Sequence, residues 1–311
     1  RPNRPPQFRG NLVEHRDVEY ANVDGSSLLL DLYLPRNVKN PPLVVWIHGG
    51  GWRGGNKGRG GKFVPLLTDA GYACASINYR LSGEAKFPAQ INDCKAAIRW
   101  LRAHAKKYGY DATRIGVGGA SAGGHLVALL GTSGGIKDLE GSVGKHLDQS
   151  SSVQAVCDMW GPTDFLQMDK HALPGSRLKH NDPRSPESLL IGGPILEHKD
   201  RVARANPITY IDKQDPPFLI IHGGSRASEY HSGKGAQEKQ GARATAHRRK
   251  CRSRRSGIQR PENQQNDRRI LRCAAEAVPK RARKKTAEKI TESGQQRNTL
   301  EPGGGCCHTD C

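Results

Sequence analysis

The stretch of sequence that decides the fold is TRIGVGGASAGGHLVALLGT, residues 113–132. It joins a short apolar strand, 114–118, to an apolar helix through a turn of small residues. Residues 119–123 of that turn fit the pattern G-x-S-x-G, with Ser121 at the centre. A nucleophilic serine must project from such a sharp turn, whose strained backbone leaves no room for side chains two positions away. We therefore predict that Ser121 is a nucleophile rather than part of a simple tight turn.

A second glycine-rich segment, HGGGW at 48–52, follows the apolar run PPLVVWI at 41–47. An ester carbonyl under attack develops an oxyanion, which needs backbone N–H donors that are already in place. We predict that the amides of Gly50, Gly51 and Ala122 form this oxyanion hole. The alternative is a phosphate-binding loop, but no Lys-Ser or Lys-Thr follows the segment and it contains no G-x-G-x-x-G.

Around these two motifs, short apolar runs alternate with helical segments. The sequence therefore predicts an α/β fold with a doubly wound, mostly parallel sheet. Asp24-Gly25 predicts a hairpin ahead of that sheet, and residues 72–78 predict another buried strand. The polar segment 166–205 predicts helical insertions above the sheet. Loops at the carboxyl ends of the parallel strands should carry the function.

Four further motifs, together with HGGGW and G-x-S-x-G, resemble the α/β-hydrolase superfamily, and within it the bacterial esterase and lipase branch. They are INYRL at 77–81, FPAQINDCKAAIRWLR at 87–102, GPTDF at 161–165 and PPFLIIHG at 216–223. The branch includes feruloyl-esterase-like and acetyl-xylan-esterase-like enzymes. The resemblance covers roughly residues 15–223 of the chain.

The resemblance implies hydrolysis of a carboxylic ester through an acyl-serine intermediate, without a metal ion or a diffusible cofactor. It also implies a substrate with a short acyl group or an ester linked to a plant cell-wall polysaccharide, and a location in the periplasm or outside the cell, although no signal peptide is visible. In this family His48 opens the oxyanion loop as a structural residue, and Asp164 is expected to order its own loop. His125, on the helix after the elbow, is expected to pack or cap rather than to catalyse.

The net charge of +19 is spread unevenly over the 311 residues. Residues 224–311 hold 21 Lys and Arg against 9 Asp and Glu, with one aromatic residue and few large aliphatic ones. Such a segment cannot bury enough apolar surface to offset the entropy of ordering it, so we predict a disordered basic tail. The predicted organisation is an extension at 1–14, a hydrolase domain at 15–223 and the tail at 224–311.

The acid and the base of a serine hydrolase follow the nucleophile in the order Ser, Asp or Glu, His. In the resembled family the acid lies shortly after the HG of the last quoted motif, and the histidine lies near a GHG or DHG turn. Here His222-Gly223 is followed by GSRASEY. The written sequence therefore offers no credible acid or base, and the sheet is expected to be incomplete at its C-terminal end.

A shift of reading frame explains this loss. With suitable synonymous codons, a one-base shift turns the segments 224–227, 247–255 and 267–272 into EAEP, TVENADHG and IVEFFD. In that order they supply a Glu after His-Gly, a strand ending in an Asp-His-Gly turn, and part of a closing helix. We interpret the chain beyond about Gly224 as an out-of-frame translation of an esterase gene, and we expect the written chain to be impaired.

Two other interpretations stay open. One is a natural fusion, in which basic clusters such as HRRKCRSRR and PKRARKK bind nucleic acid or another polyanion. The other is a non-catalytic hydrolase relative that only binds, against which the intact elbow argues. Cys94 and Cys157 are either a disulfide or two buried thiols. No apolar run approaches the roughly 20 residues that span a bilayer.

Overall fold

The computed structural model of the protein describes residues 7–172, 175–176 and 178–222. The tail predicted at 224–311 lies outside these ranges. Eight strands form one sheet in the described part of the chain. In chain order they are β1 (Gln7–Arg9), β2 (Leu12–Val23), β3 (Ser26–Pro35), β4 (Pro42–Ile47), β5 (Ala73–Ile77), β6 (Asp111–Ala120), β7 (Ala155–Met159) and β8 (Phe218–Ile221).

The spatial order of the strands is β1-β2-β3-β5-β4-β6-β7-β8. The first four strands of that order pair antiparallel, whereas β5, β4, β6, β7 and β8 pair parallel. The prediction of a mostly parallel sheet is therefore confirmed. Because the five parallel strands point the same way, their carboxyl ends lie along one edge, where loops of α/β sheets form binding sites.

Helices cover both faces of the sheet. Neighbouring residues of a strand point to opposite faces, and Val44 packs in a cluster with α1 while Val45 packs in the larger core with α2 and α3. The α-helices of the described ranges are α1 (Phe63–Asp69), α2 (Ala89–Tyr108), α3 (Ala122–Thr132), α4 (Lys137–Glu140), α5 (Pro186–Ile191) and α6 (Lys199–Ala205). Short 3-10 helices span Lys57–Lys62, Phe165–Gln167 and Pro207–Thr209.

The N-terminal hairpin forms where Asp24-Gly25 predicted it. Both residues have positive φ angles, 50° and 83°, which match the two-residue turns that join twisted antiparallel strands. The boundary predicted at residue 15 needs correction, because β1 and the first residues of β2 already belong to the sheet. The sequence did not indicate that these residues join the sheet, because charged residues interrupt the apolar pattern. In the structure, the carboxylate of Glu14 is buried and lies 2.8 Å from the guanidinium of Arg16.

The segment 166–205 contains α5 and α6, as the sequence predicted. Cys94 and Cys157 are both free thiols, so the disulfide alternative does not hold in this structure. Among the helices of the described ranges, none combines the length and the apolar character that crossing a bilayer requires. The last element in the described ranges is β8, which lies at the edge of the sheet. The pairing of β7 with β8 continues one residue beyond β7, since the backbone N–H of Trp160 donates to the carbonyl of Ile221 at 2.9 Å.

Candidate active site

Ser121 is the single residue between the end of β6 and the start of α3. It has φ 57° and ψ −121°, a backbone conformation that side-chain-bearing residues adopt only where the surroundings enforce it. Its N–H donates to the carbonyl of Met159 at 2.9 Å, and its carbonyl accepts from the N–H of His125 at 3.0 Å. The side chain is exposed, whereas every residue of α3 behind it is buried. The turn therefore presents one hydroxyl at the edge where the parallel strands end.

The two glycines that flank Ser121 are required by contact distances. A β carbon on Gly123 would lie 2.1 Å from the carbonyl oxygen of Ile47, and one on Gly119 would lie 2.4 Å from the carbonyl oxygen of Gly123. Both distances are too short for any side chain. The expected reason for the G-x-S-x-G pattern is thus visible in the packing of β6, α3 and the end of β4.

The HGGGW segment lies directly against this turn. A β carbon on Gly49 would lie 2.4 Å from the carbonyl oxygen of Ala120 and 3.3 Å from Cβ of Ser121. Gly50 and Gly51 have positive φ angles of 132° and 60°, so their peptide planes are turned in a way that other residues rarely adopt. The structure therefore brings the segment predicted to hold the oxyanion donors beside the predicted nucleophile.

Trp52, the last residue of that segment, is buried. Its indole Nε1–H donates to Nδ1 of His125 at 3.2 Å, and Nε2 of His125 lies 2.8 Å from the carbonyl oxygen of Ala205. Since an indole N–H can only donate, Nδ1 must be the acceptor and Nε2 must carry the proton. His125 thus joins the oxyanion loop to the end of α6.

Burial lowers the pKa of His125 to about 4, so the ring is neutral at neutral pH. Both ring nitrogens are already hydrogen-bonded inside the protein. The side chain therefore packs, as predicted, and is not placed to act as a base. The sequence suggested packing from the position of His125 on α3, but nothing in it indicated that Trp52 and Ala205 are the partners.

His48 begins the HGGGW segment, the predicted oxyanion loop, and is held by contacts with Gly49 and Tyr79. Its Nδ1 lies 3.0 Å from the carbonyl oxygen of Gly49, and its ring stacks on Tyr79 with the centroids 4.4 Å apart. The hydroxyl of Tyr79 donates to the carbonyl of His48 at 2.9 Å. Burial lowers the pKa of His48, so this ring too favours the neutral form. These contacts agree with the structural role expected for His48.

Two carboxylates order the loop after β7. Oδ1 of Asp158 accepts from the N–H of Gly161 at 2.8 Å, and Oδ1 of Asp164 lies 3.4 Å from Nδ2 of Asn206. Burial raises the pKa of Asp164, while a hydrogen bond from the backbone of Leu166 opposes that rise. Asp164 therefore binds its own loop, as expected.

Residues 30–228 of the chain match the family model BD-FAE. The chain belongs to the BD-FAE family. Esterase LipC of Mycobacterium tuberculosis is 32% identical over 228 residues, which make up 71% of this chain and 55% of LipC. A truncated form of a carbohydrate esterase from gut microbiota has a TM-score of 0.66 and 35% identity, covering 78% of this chain and 89% of that one. A bifunctional GH43-CE protein of Bacteroides eggerthii has a TM-score of 0.66 and 40% identity, covering 73% of this chain and 33% of that one.

Membership of the BD-FAE family confirms the resemblance to an esterase branch of the α/β-hydrolase superfamily. The chain spans about half the length of the curated relatives it matches, with 55% of LipC, 40% of the probable carboxylic ester hydrolase LipM and 51% of Esterase LipQ. All three are proteins of Mycobacterium tuberculosis.

In this BD-FAE chain, the described residues include Ser121, the predicted nucleophile, and the HGGGW segment, the predicted source of the oxyanion donors, side by side. The positions at which the resembled branch carries its acid and its histidine follow His222-Gly223, and they lie outside the described residues. β8 ends just before His222, at the same sheet edge as Ser121. The location of the acid and the histidine therefore stays a prediction, as does the shift of reading frame.

Proposed function

We propose that the protein is a serine carboxylic-ester hydrolase whose nucleophile is Ser121. The observation that carries the proposal is the strained, exposed turn at Ser121, with the Gly49 backbone packed against it. Strained backbone of this kind clusters at active sites, where the surrounding structure enforces it. The esterase names of the relatives support the same reaction class.

In the proposed reaction, Oγ of Ser121 forms a bond to the carbonyl carbon of the ester and the carbonyl electron pair moves to its oxygen. The N–H groups of Gly50, Gly51 and Ala122 then donate to that oxyanion. Ala122 begins α3, whose N-terminal dipole adds favourable potential for negative charge. The electron pair of the oxyanion re-forms the carbonyl, the bond from the carbonyl carbon to the alcohol oxygen breaks, and the alcohol leaves with the proton given up by the Ser121 hydroxyl, so that an acyl-serine remains. Water cleaves the acyl-serine to a carboxylic acid and restores the Ser121 hydroxyl.

The proposed acid and histidine belong to the shifted reading frame beyond about Gly224. The family match ends at residue 228, close to the point where the shifted frame would begin, which supports this proposal. In the written frame the nucleophile and oxyanion loop remain without their partners. Loss of triad members costs several orders of magnitude in rate, while an oxyanion hole alone retains about 10³–10⁴-fold acceleration over water.

For the substrate, we propose an ester with a short acyl group, carried by a carbohydrate of the plant cell wall. The support is the family match and the carbohydrate esterase among the similar solved structures. A second candidate function is a natural basic tail that binds nucleic acid or another polyanion, favoured by the 21 basic residues of segment 224–311. That alternative does not account for a hydrolase domain whose sequence stops before its acid and base.

The proposed nucleophile can be tested on the chain as it is written. We expect a fluorophosphonate to label Ser121 slowly but selectively, with the adduct located by peptide mass spectrometry. Ser121→Ala should abolish that adduct, whereas Ser152→Ala, at another exposed serine, should leave it unchanged. Equal labelling of several serines, or labelling no faster than in the denatured chain, would show that the turn does not activate Ser121.

A further inference from the structure

A cavity of about 340 Å³ opens between the loop that follows β5 and the helices α5 and α6. Its size lies within the range of roughly 300–1,000 Å³ that is usual for small-molecule sites. Three of its lining side chains are cations, one is aromatic, and the remaining wall is aliphatic or backbone. The lining residues are Lys86, Phe87, Ile191, Gly192, Arg201 and Arg204.

Two of the three cations are available to a ligand. Arg204 is already held by Asp138, with Nη2 2.7 Å from Oδ1. Nζ of Lys86 donates to the carbonyl of Ser82 at 2.7 Å, and Nη1 of Arg201 lies 3.4 Å from the carbonyl oxygen of Gly192. Within the described residues neither of these two forms an ion pair with a carboxylate. Because an ammonium has three donors and a guanidinium five, most of their hydrogen-bonding capacity remains unused.

Gly192, which follows the end of α5, lies beside the side chains of the same two residues. A β carbon on Gly192 would lie 3.3 Å from Cγ of Lys86 and 3.8 Å from Nη1 of Arg201. Gly192 has φ 81°, so a glycine is favoured there for conformational reasons as well. The aliphatic stem of Lys86 and the guanidinium of Arg201 therefore both lie close to the backbone of Gly192.

The cavity is connected to the oxyanion loop by two routes. Pro186, the first residue of α5, lies against that loop, since a β carbon on Gly51 would be 3.4 Å from its Cβ. The six residues of α5 span about 9 Å, so the cavity begins roughly that far from Gly51. The second route runs through Ser82. Its backbone N–H donates to the carbonyl of Trp52 at 2.7 Å, and its carbonyl accepts from Nζ of Lys86.

We propose that this cavity is a subsite for the carboxylate of an acidic sugar that neighbours the esterified unit of the substrate. The inference rests on the proposed function and names its substrate class more closely. Lys86 and Arg201 bind the carboxylate, for which the planar guanidinium is geometrically suited. The ring of Phe87 offers an apolar surface to one face of the sugar. A bare phosphate would engage the cations but would leave that ring unused.

Direct binding to the full chain tests the subsite without requiring turnover. In a Ser121→Ala background, methyl glucuronide and methyl glucoside are titrated by calorimetry, because the two ligands differ only at C6, which is a carboxylate in the first and a hydroxymethyl group in the second. We expect the glucuronide to bind about tenfold more tightly, which corresponds to about 1.4 kcal/mol. The double variant Lys86→Ala/Arg201→Ala should reduce its affinity to that of the glucoside. Arg184→Ala removes an exposed arginine outside the cavity and is the matched control for general electrostatic attraction.

Equal affinity for the two sugars would overturn the proposal, and so would an equal loss in the Arg184→Ala control, which would indicate binding to the basic chain as a whole. Inorganic phosphate is the third ligand. If it binds as tightly as the glucuronide and with the same dependence on Lys86 and Arg201, the cavity recognises anions only and the acidic-sugar assignment fails. None of these outcomes depends on labelling of Ser121, so the subsite and the proposed ester hydrolysis fail separately.

Discussion

At the residue scale, His125 ties the HGGGW segment to the end of α6 through two buried hydrogen bonds. It accepts from Trp52, donates to the carbonyl of Ala205, and is fully enclosed. His125→Phe keeps the ring but leaves both partners buried without a hydrogen bond, which costs about 1–3 kcal/mol for each group. We expect a lower free energy of unfolding and slower labelling of Ser121 by a fluorophosphonate. Leu130→Met, a volume-conserving change on the same helix, should cost less than about 1.5 kcal/mol and leave labelling intact.

The same residue makes stability depend on pH. Burial lowers the pKa of His125 from 6.5 to about 4, so between those values the unfolded chain takes up a proton there and the native protein does not. The stability gained by keeping the ring neutral is present above about pH 6.5 and is lost as the pH falls toward 4, by roughly 3 kcal/mol. Denaturant unfolding of the unsubstituted protein and of His125→Phe should therefore converge as the pH falls. A constant difference between them would contradict the assignment.

Among the secondary-structure elements, α2 and α4 are joined by a buried ion cluster. Nζ of Lys95 lies 2.7 Å from Oε1 of Glu140, and Nη1 of Arg99 lies 3.0 Å from its Oε2. Burial lowers the pKa of Lys95, while the Glu140 carboxylate opposes that shift. Glu140→Gln would leave two buried cations without a compensating charge, which typically costs about 3–5 kcal/mol. Chemical denaturation should show this loss of stability.

The exposed pair Asp138–Arg204 provides the control for that element-scale prediction. Its loss in Asp138→Asn should cost no more than about 1 kcal/mol of unfolding free energy, because solvent screens an exposed pair.

Lys95→Met combined with Glu140→Gln should be less destabilising than the sum of the two single changes, since the double variant removes part of the unpaired charge. Additive effects would mean that the two side chains do not interact as the structure places them.

The sequence could predict those elements whose conformation is specified by a few neighbouring residues. Asp24-Gly25 needs only two residues to specify its turn, and the elbow at Ser121 needs only five, because close contacts between backbones exclude side chains there. The strand before residue 15 escaped prediction because its charges pair after folding, as Glu14 does with Arg16. No local pattern indicates that Lys86 and Arg201 line one cavity, since this depends on how α5 and α6 pack beside the loop after β5.

At the scale of the whole molecule, the chain consists of two parts that differ in net charge and in composition. Residues 224–311 contribute +12 of the net +19, and the change in composition begins directly after the HG motif at 222–223. A natural tail would leave the hydrolase domain without an acid and a histidine, whereas a shifted frame would supply both at the expected places. The two interpretations therefore differ in what the next reading frame of the gene must contain.

Resequencing the codons for residues 216–311 should show that the neighbouring frame is open and encodes segments close to HGEAEP, ADHG and IVEFFD. Deleting one nucleotide after the codon for Gly223 should then raise the hydrolysis of 4-nitrophenyl acetate by several orders of magnitude, since the three triad members act as a unit. Ser121→Ala in the restored chain is the control and should remove that gain. If stop codons interrupt the neighbouring frame, or if the restored chain is no more active than the written one, the basic segment is genuine. The proposed acid and histidine would then not exist, and the nucleophile would work only with its oxyanion loop.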